Sequence, residues 1–292
     1  MRLGKGTGDG VVHLEPSESL QRPAHAPGLI GLHGVDGLND SSHRVQALRT
    51  WLDSQLDLKL TPLSLPNSAL ELSIFQPTVE SRADLFAQAR ASSDRQLPYW
   101  ADIWPSGLAL GGVALENASF LAGKQVLEIG SGLGTTAAAT LRADAHVLAM
   151  DYTPLALGLC RYNALANVGR SPRTLAINWR NPTRPAITRL AAAAPFPIIM
   201  AADVLYESRD IDPLIRLIDR FLAPDGQLWL SEPQRKVSGR FLDTLALRGW
   251  RFTSHTEEGP WADGRTEPIN IHFLRRELQS DRPYSTLGGW RV

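Results

Sequence analysis

The chain has 292 residues, 30 basic and 30 acidic side chains and no net charge, with 43% hydrophobic and 21% charged residues. Such a composition lets most of the chain bury a core, as one α/β domain with extensions or as two smaller domains. It speaks against sequence-independent nucleic-acid binding, which needs a basic surface to displace counterions.

The single cysteine, Cys160, excludes an intrachain disulfide and a thiolate metal cage. No apolar run follows the basic residues near Met1, and the apolar stretch 190–202 is broken by Pro195 and Pro197, too short to span a bilayer. The expectation is a soluble, cytoplasmic protein without a membrane segment.

Residues 1–44 hold eight of the 24 glycines and four of the seven histidines without periodicity, and read as a disordered tail. The spacing of Val45, Leu48, Trp51, Leu52 and Leu56 predicts an amphipathic helix over 44–57. A proline-containing connection follows, then an alternating strand over 70–75, so 45–94 forms an N-terminal appendage. Residues 95–280 form the main domain and 281–292 a C-terminal tail.

In the main domain a helix is expected over 106–121, a strand over 125–130, a helix over 135–142 and a strand over 146–151. Thr153 followed by Pro154 starts a helix over 154–167, with a hydroxyl cap and a proline where its missing N–H is harmless. A strand over 174–178, an alanine-rich segment, a strand over 196–202 and a helix over 211–222 follow. A turn over 223–226 leads to a strand over 227–231, a helix over 238–247 and strands over 250–255 and 269–275. Alternating strands and helices with doubly apolar strands predict a Rossmann-like, doubly wound sheet, mostly parallel, ending in an antiparallel hairpin.

In such a sheet ligands bind at the carboxyl ends of the strands. The first strand of the domain ends in Glu128-Ile129-Gly130-Ser131-Gly132-Leu133-Gly134, whose glycines allow a sharp turn and close ligand approach. A dinucleotide fingerprint would need glycine at 135, where threonine stands. Glu128 would repel phosphates and suits a ligand with an amino group. Asp151 ends the second strand, where a carboxylate can accept hydrogen bonds from ribose hydroxyls. Asn178 and Trp179 end the third, an amide and an indole suited to adenine. Together they describe a site for an adenosine bearing an amino acid.

The run from Val126 to Gly134 resembles the first motif of class I, seven-β-strand S-adenosylmethionine-dependent methyltransferases. Pro98-Tyr99-Trp100-Ala101-Asp102-Ile103-Trp104-Pro105-Ser106-Gly107 and Ala201-Ala202-Asp203-Val204-Leu205-Tyr206 resemble the protein-lysine methyltransferase branch, which carries Asp-x-x-Tyr at that strand end. Within it the chain is similar to the enzymes that methylate the electron-transfer-flavoprotein β subunit. The resemblance covers roughly residues 60–255. It implies S-adenosylmethionine as cofactor and a protein presenting a lysine as partner. Glu128, Gly130, Gly132 and Gly134 would cradle the methionine end, Asp151 would hold the ribose, Asn178 and Trp179 would flank the adenine, and Trp104 would cover the cofactor. Asp203 and Tyr206 would stand at the methyl-transfer site. Relatives often carry Asp-Trp where this chain has Asn178-Trp179, and asparagine keeps an acceptor for the adenine amine. Val204 and Leu205 replace the two prolines usual in enzymes that methylate bases or glutamine amides.

Methyl transfer needs a neutral amine, and a free lysine is less than about 0.1% neutral at pH 7. A carboxylate such as Asp203 would by itself favour the ammonium, so its expected role is to dock and orient the amine, with Tyr206 and Trp100 as aromatic walls. Two other readings stay open on sequence: a small-molecule amine N-methyltransferase, and a non-catalytic S-adenosylmethionine-binding module.

Overall fold

A computed structural model describes residues 38–92 and 96–277; most of the expected N-terminal tail and the segment 281–292 lie outside the described residues. Helix α1 (Leu38–Asp53) starts ahead of the predicted residue 44, so the end of the expected tail is helical. Strands β1 (Leu58–Ser64) and β2 (Glu71–Pro77) pair antiparallel. Residues 58–64, expected as a connection, form a strand despite Pro62 because a two-stranded hairpin leaves one side of each strand without ladder bonds. Helix α2 (Val79–Ala91) follows, its first turn bonded by the Thr78 hydroxyl, which accepts from the Ser81 N–H at 3.3 Å. None of its residues is buried. Without an apolar stripe it offered no periodic signal.

The predicted helix over 106–121 is broken into α3 (Pro105–Glu116) and a single turn, α4 (Ala118–Leu121). Asn117 turns its side-chain amide back onto the Val113 carbonyl at 2.9 Å and separates them. Next come β3 (Gln125–Ile129), α5 (Thr135–Arg142), β4 (His146–Asp151), α6 (Pro154–Val168) and β5 (Arg173–Ala176). The alanine-rich segment is a helix, α7 (Arg184–Ala191), with Thr183 as cap and proline in its first turn. After it come β6 (Phe196–Ala202), α8 (Ile211–Phe221), β7 (Leu222–Glu232), α9 (Lys236–Leu247), β8 (Trp250–Glu257) and β9 (Ile269–Arg276). The turn expected over 223–226 lies inside β7. There the pairing moves from Phe196 opposite Leu222 to Ile198 opposite Gln227, so the extra residues bulge out of one strand.

The seven main strands lie in the order β5-β4-β3-β6-β7-β9-β8. Strands β3 to β7 are parallel, and β9 runs antiparallel to both β7 and β8. This is the doubly wound sheet with an antiparallel C-terminal hairpin that the apolar pattern predicts. The chain runs outward from β3 to β5 and returns to β6 beside β3, which puts the switch point, and a ligand crevice, at the carboxyl end of β3.

Each face of the sheet has its own core. One includes α3, α5, α6 and the appendage; the other includes α7, α8 and α9. Amphipathic α8 illustrates the rule, burying Leu214, Ile215, Leu217, Ile218 and Phe221 on one side. The appendage docks on α6. A Cβ at Gly158 would come within 2.6 Å of the Trp51 ring, so the missing side chain is the seat for α1. Asn163 and Asn167, one turn apart on α6, bond the outer edge of β2. Their amides pair with the N–H and carbonyl of Phe75 (2.8 and 2.9 Å) and of Ser73 (2.7 and 2.9 Å). An edge that would otherwise recruit another strand is thereby closed.

Candidate active site

The strand ends named from sequence converge on a cavity of about 320 Å³, walled by Trp104, Gly130, Gly132, Asp151, Trp179, Asp203 and Tyr206 among others. Glu128 and Gly134 line a smaller adjoining pocket that shares Trp104, Gly130 and Gly132 with the first. Asn178 lines neither. Its amide donates to Gln96 Oε1 at 3.1 Å and its oxygen accepts from the Arg180 N–H at 3.0 Å, so it braces the loop behind the cavity.

The glycine loop follows directly from β3. The N–H groups of Gly130 and Ser131 both donate to the Met150 carbonyl, at 2.8 and 3.0 Å. Gly130 has φ +71°, and a Cβ there would lie 2.9 Å from the Val204 side chain, closing the gap between the loop and the end of β6. Gly134 has φ +85°, and a Cβ would lie 2.6 Å from the Cys160 backbone. That close approach seats the start of α5 on α6 and explains the lone cysteine as a small, fully buried packing residue.

Glu128 is 4% exposed. Burial, with the nearby Asp151 carboxylate adding to it, pushes its carboxyl up to about 8. Its Oε2 has no hydrogen-bond partner among the described residues. A buried carboxylate oxygen without a partner is costly unless a donor arrives, and an ammonium group is the donor that would restore its charge. Asp151, also buried, accepts from the N–H groups of Gly132 (3.0 Å) and Tyr152 (2.7 Å). Burial raises its carboxyl to about 6, while these bonds pull the other way. It is therefore mostly ionised at neutral pH, with lone pairs left for a ligand's hydroxyls. The partnerless oxygen, the glycine cradle and this acceptor fit a ligand that carries a cationic amine and a ribose.

Aromatic rings build the opposite wall. Trp104, the residue before α3, donates its indole N–H to the Tyr99 carbonyl at 2.8 Å and lies under the Arg265 guanidinium at 5.0 Å. Tyr99 meets Tyr206 edge-on at 5.1 Å. Trp100 and Tyr152 complete the wall. Trp179 is held from behind, its indole N–H donating to Asp210 Oδ1 at 2.9 Å. Asp210 is fully buried and takes a two-pronged bond from Arg180, at 2.6 and 2.8 Å, while Arg180 also reaches Glu207 at 2.8 Å. This network ties the loop after β5 to the loop after β6, and so fixes the segment that carries Asp203 and Tyr206. Burial, followed by the Asp210 charge, raises the Tyr206 hydroxyl above its ordinary pKa, which keeps the phenol neutral.

Asp203 has φ +55°, a left-handed conformation that costs a non-glycine residue about 1–3 kcal/mol. Its N–H donates to the Ser231 carbonyl at 2.9 Å, and its carboxylate forms an ion pair with Arg235 Nη1. Sequence reasoning missed Arg235, the Arg180–Asp210–Glu207 network and Arg265. None belongs to a motif, and the three arginines reach the site from elements distant in the chain, whereas Glu207 and Asp210 follow Tyr206 closely. Tyr152 was nearer to hand, directly after Asp151.

The lysine methyltransferase family matches residues 96–247, just over half of the chain. The electron transfer flavoprotein beta subunit lysine methyltransferase of Rattus norvegicus is 32% identical over 140 residues, 47% of this chain and 51% of that protein. EEF1A lysine methyltransferase 3 of Xenopus tropicalis is 26% identical over 178 residues, covering 60% of this chain and 75% of that protein. Protein-lysine methyltransferase METTL21E of Bos taurus is 29% identical over 152 residues, covering 50% and 51%. The chain spans about half the length of the rat and bovine relatives.

Proposed function

We propose that this chain, which belongs to the lysine methyltransferase family, transfers a methyl group from S-adenosylmethionine to the side-chain amine of a lysine in a protein substrate. The observation that carries the reading is a single aromatic-walled cavity joining the glycine loop to Asp203 and Tyr206. The bound cofactor supplies an electrophilic methyl group on a sulfonium.

Every other part of the task falls to the chain. Glu128 receives the cofactor's ammonium on its partnerless oxygen, and Asp151 accepts from the ribose hydroxyls. Trp179 and Trp104 enclose the adenosine and the sulfonium side of the cavity. Asp203 accepts a hydrogen bond from the lysine amine and aims its lone pair. The rings of Tyr206 and Tyr99 exclude water and tolerate the cationic product, since a positive charge is attracted to an aromatic face. Alignment of this kind can contribute on the order of 7–11 kcal/mol to the barrier. The substrate lysine gives up its proton to water before the transfer, and the methylated amine leaves as an ammonium at neutral pH.

The similarity to electron transfer flavoprotein beta subunit lysine methyltransferases supports that subunit, from the same organism, as the first substrate to try. The purified chain would be incubated with methyl-labelled S-adenosylmethionine and either that subunit or whole lysate, with an Asp203→Ala control. Label on lysine of a discrete protein, lost in the control, is expected. Label confined to small molecules, or none despite measured cofactor binding, refutes the proposal.

A further inference from the structure

We propose that Arg235 is a positioning residue for methyl transfer: its guanidinium holds the Asp203 carboxylate in an ion pair of no net charge, so Asp203 can orient the incoming amine without retaining it as an ammonium. The inference rests on the methyltransferase reading above.

A solitary carboxylate at the transfer site works against the reaction. It would raise the pKa of a lysine that is already almost wholly protonated at neutral pH. Arg235 removes that conflict. Its side chain enters the same cavity as Asp203 and pairs with it through Nη1. The carboxylate is 6% exposed and the arginine 31%, so the pair is partly buried and screened less than a surface pair.

The backbone is left-handed at Asp203 and at Gln234, the residue directly before Arg235, with φ +55° and +56°. A left-handed conformation at Asp203 itself and at the residue next to Arg235 points to a position held for function. The Arg235 N–H is anchored as well, donating to Glu232 Oε2 at 2.9 Å. Glu232 Oε1 in turn holds the Asn270 amide at 3.1 Å and His272 Nε2 at 3.3 Å, and the other His272 nitrogen meets the Ser254 hydroxyl at 2.6 Å. The C-terminal hairpin thus braces the arginine from behind.

Other charged and titratable groups face this point. Burial holds the Arg235 guanidinium below its ordinary range; Glu267 and Tyr99 favour its charge and Arg265 opposes it. Asp151, Tyr152 and Tyr206 line the same cavity, and Glu128 the adjoining one. Arg235 is the cation paired with Asp203.

The test compares Arg235→Gln and Arg235→Lys with wild type in pH profiles of kcat and kcat/KM from about pH 6.5 to about 10, using a lysine-peptide library and the electron transfer flavoprotein beta subunit. Calorimetry gives the S-adenosylhomocysteine Kd, and carbon NMR follows the Asp203 carboxyl. For the glutamine variant the acid limb should move up by roughly 1–2 pH units. Its activity near neutral pH should fall about 10- to 100-fold and recover at high pH, with Kd changed less than about threefold. The Asp203 resonance should titrate at higher pH than in wild type. Lysine, which keeps the charge, should keep the limb where wild type has it. Activity lost equally at every pH, an unmoved Asp203 titration or a large loss of cofactor affinity would each overturn the role of Arg235 while leaving the methyltransferase reading intact. A wild-type protein that methylates none of these probes would overturn that reading, and this inference with it.

Discussion

Replacing Glu128 by glutamine separates what the buried carboxyl does for the fold from what it does for the ligand. In the folded chain this group is protonated up to about pH 8, whereas its ordinary value is 4.5. Between those values the folded state holds a proton that the unfolded chain has released, so stability falls as pH rises through the window. The complete effect corresponds to about 5 kcal/mol. Glutamine abolishes it but leaves amide atoms without partners, a cost of about 1–3 kcal/mol. The ligand-free variant should therefore be more stable than wild type at about pH 8.5, by about 2 kcal/mol or more, and no more stable at about pH 4.5. At about 2–4 °C per kcal/mol, Tm should rise by roughly 4–8 °C at the higher pH.

Cofactor binding should move the other way. Losing a charged hydrogen bond to the ammonium costs about 1.5–3 kcal/mol, or roughly 10- to 100-fold in Kd. In wild type, S-adenosylhomocysteine should bind with release of a proton near pH 7, because Glu128 must ionise to pair with the ammonium; the variant should release none. Calorimetry at the two pH values, together with titrations in buffers of different ionisation enthalpy, reads all of these quantities. A variant that binds the cofactor as wild type does, or loses stability equally at both pH values, refutes the reasoning.

Asp203→Ala should slow methyl transfer by at least about 100-fold while leaving the S-adenosylhomocysteine Kd within about threefold, measured by single-turnover kinetics and calorimetry; a wild-type rate would remove Asp203 from the chemistry. Asp210→Ala strands the Arg180 charge and the Trp179 indole N–H that Asp210 now holds, and should cost about 3–5 kcal/mol in denaturant unfolding. Gly134→Ala should lose about 1–3 kcal/mol, since its Cβ would meet the Cys160 backbone at 2.6 Å and its φ is +85°. Asn178→Ala should change cofactor affinity less than about threefold, because the side chain faces Gln96 and the Arg180 N–H; a larger loss would show that Asn178 reaches the adenine.

Local rules made much of this fold legible. The strands β3, β4 and β6 are apolar runs because both sides of the sheet are covered, and that burial is written directly into composition. Thr153-Pro154 and Gly169 bracket α6 through capping and a left-handed terminus, both properties of one or two residues. Where signals were weak the physical cause is plain. Helix α2 buries nothing, so it lacks an apolar stripe. Strand β1 contains a proline that only its edge-like pairing tolerates. The Pro-Asp-Gly of β7 reads as a turn, yet the partner strand β6 draws it into a bulge.

The candidate site divides in the same way. Glu128, the glycines, Asp151 and the Asp203–Tyr206 pair each sit at a strand end, and in a doubly wound sheet chain position alone brings such ends together. Sequence therefore determined the sheet, the location of the crevice and the acidic, glycine-rich character of its floor. Only the tertiary structure decided how those groups are tuned. The carboxyl of Glu128 is raised by burial, which depends on what packs over it. Trp179 is oriented by Asp210, and Asp203 is paired with Arg235, through contacts spanning about thirty residues of chain. Pairings across such separations follow from how helices and loops dock, and packing distance, unlike periodicity, leaves no pattern along the chain.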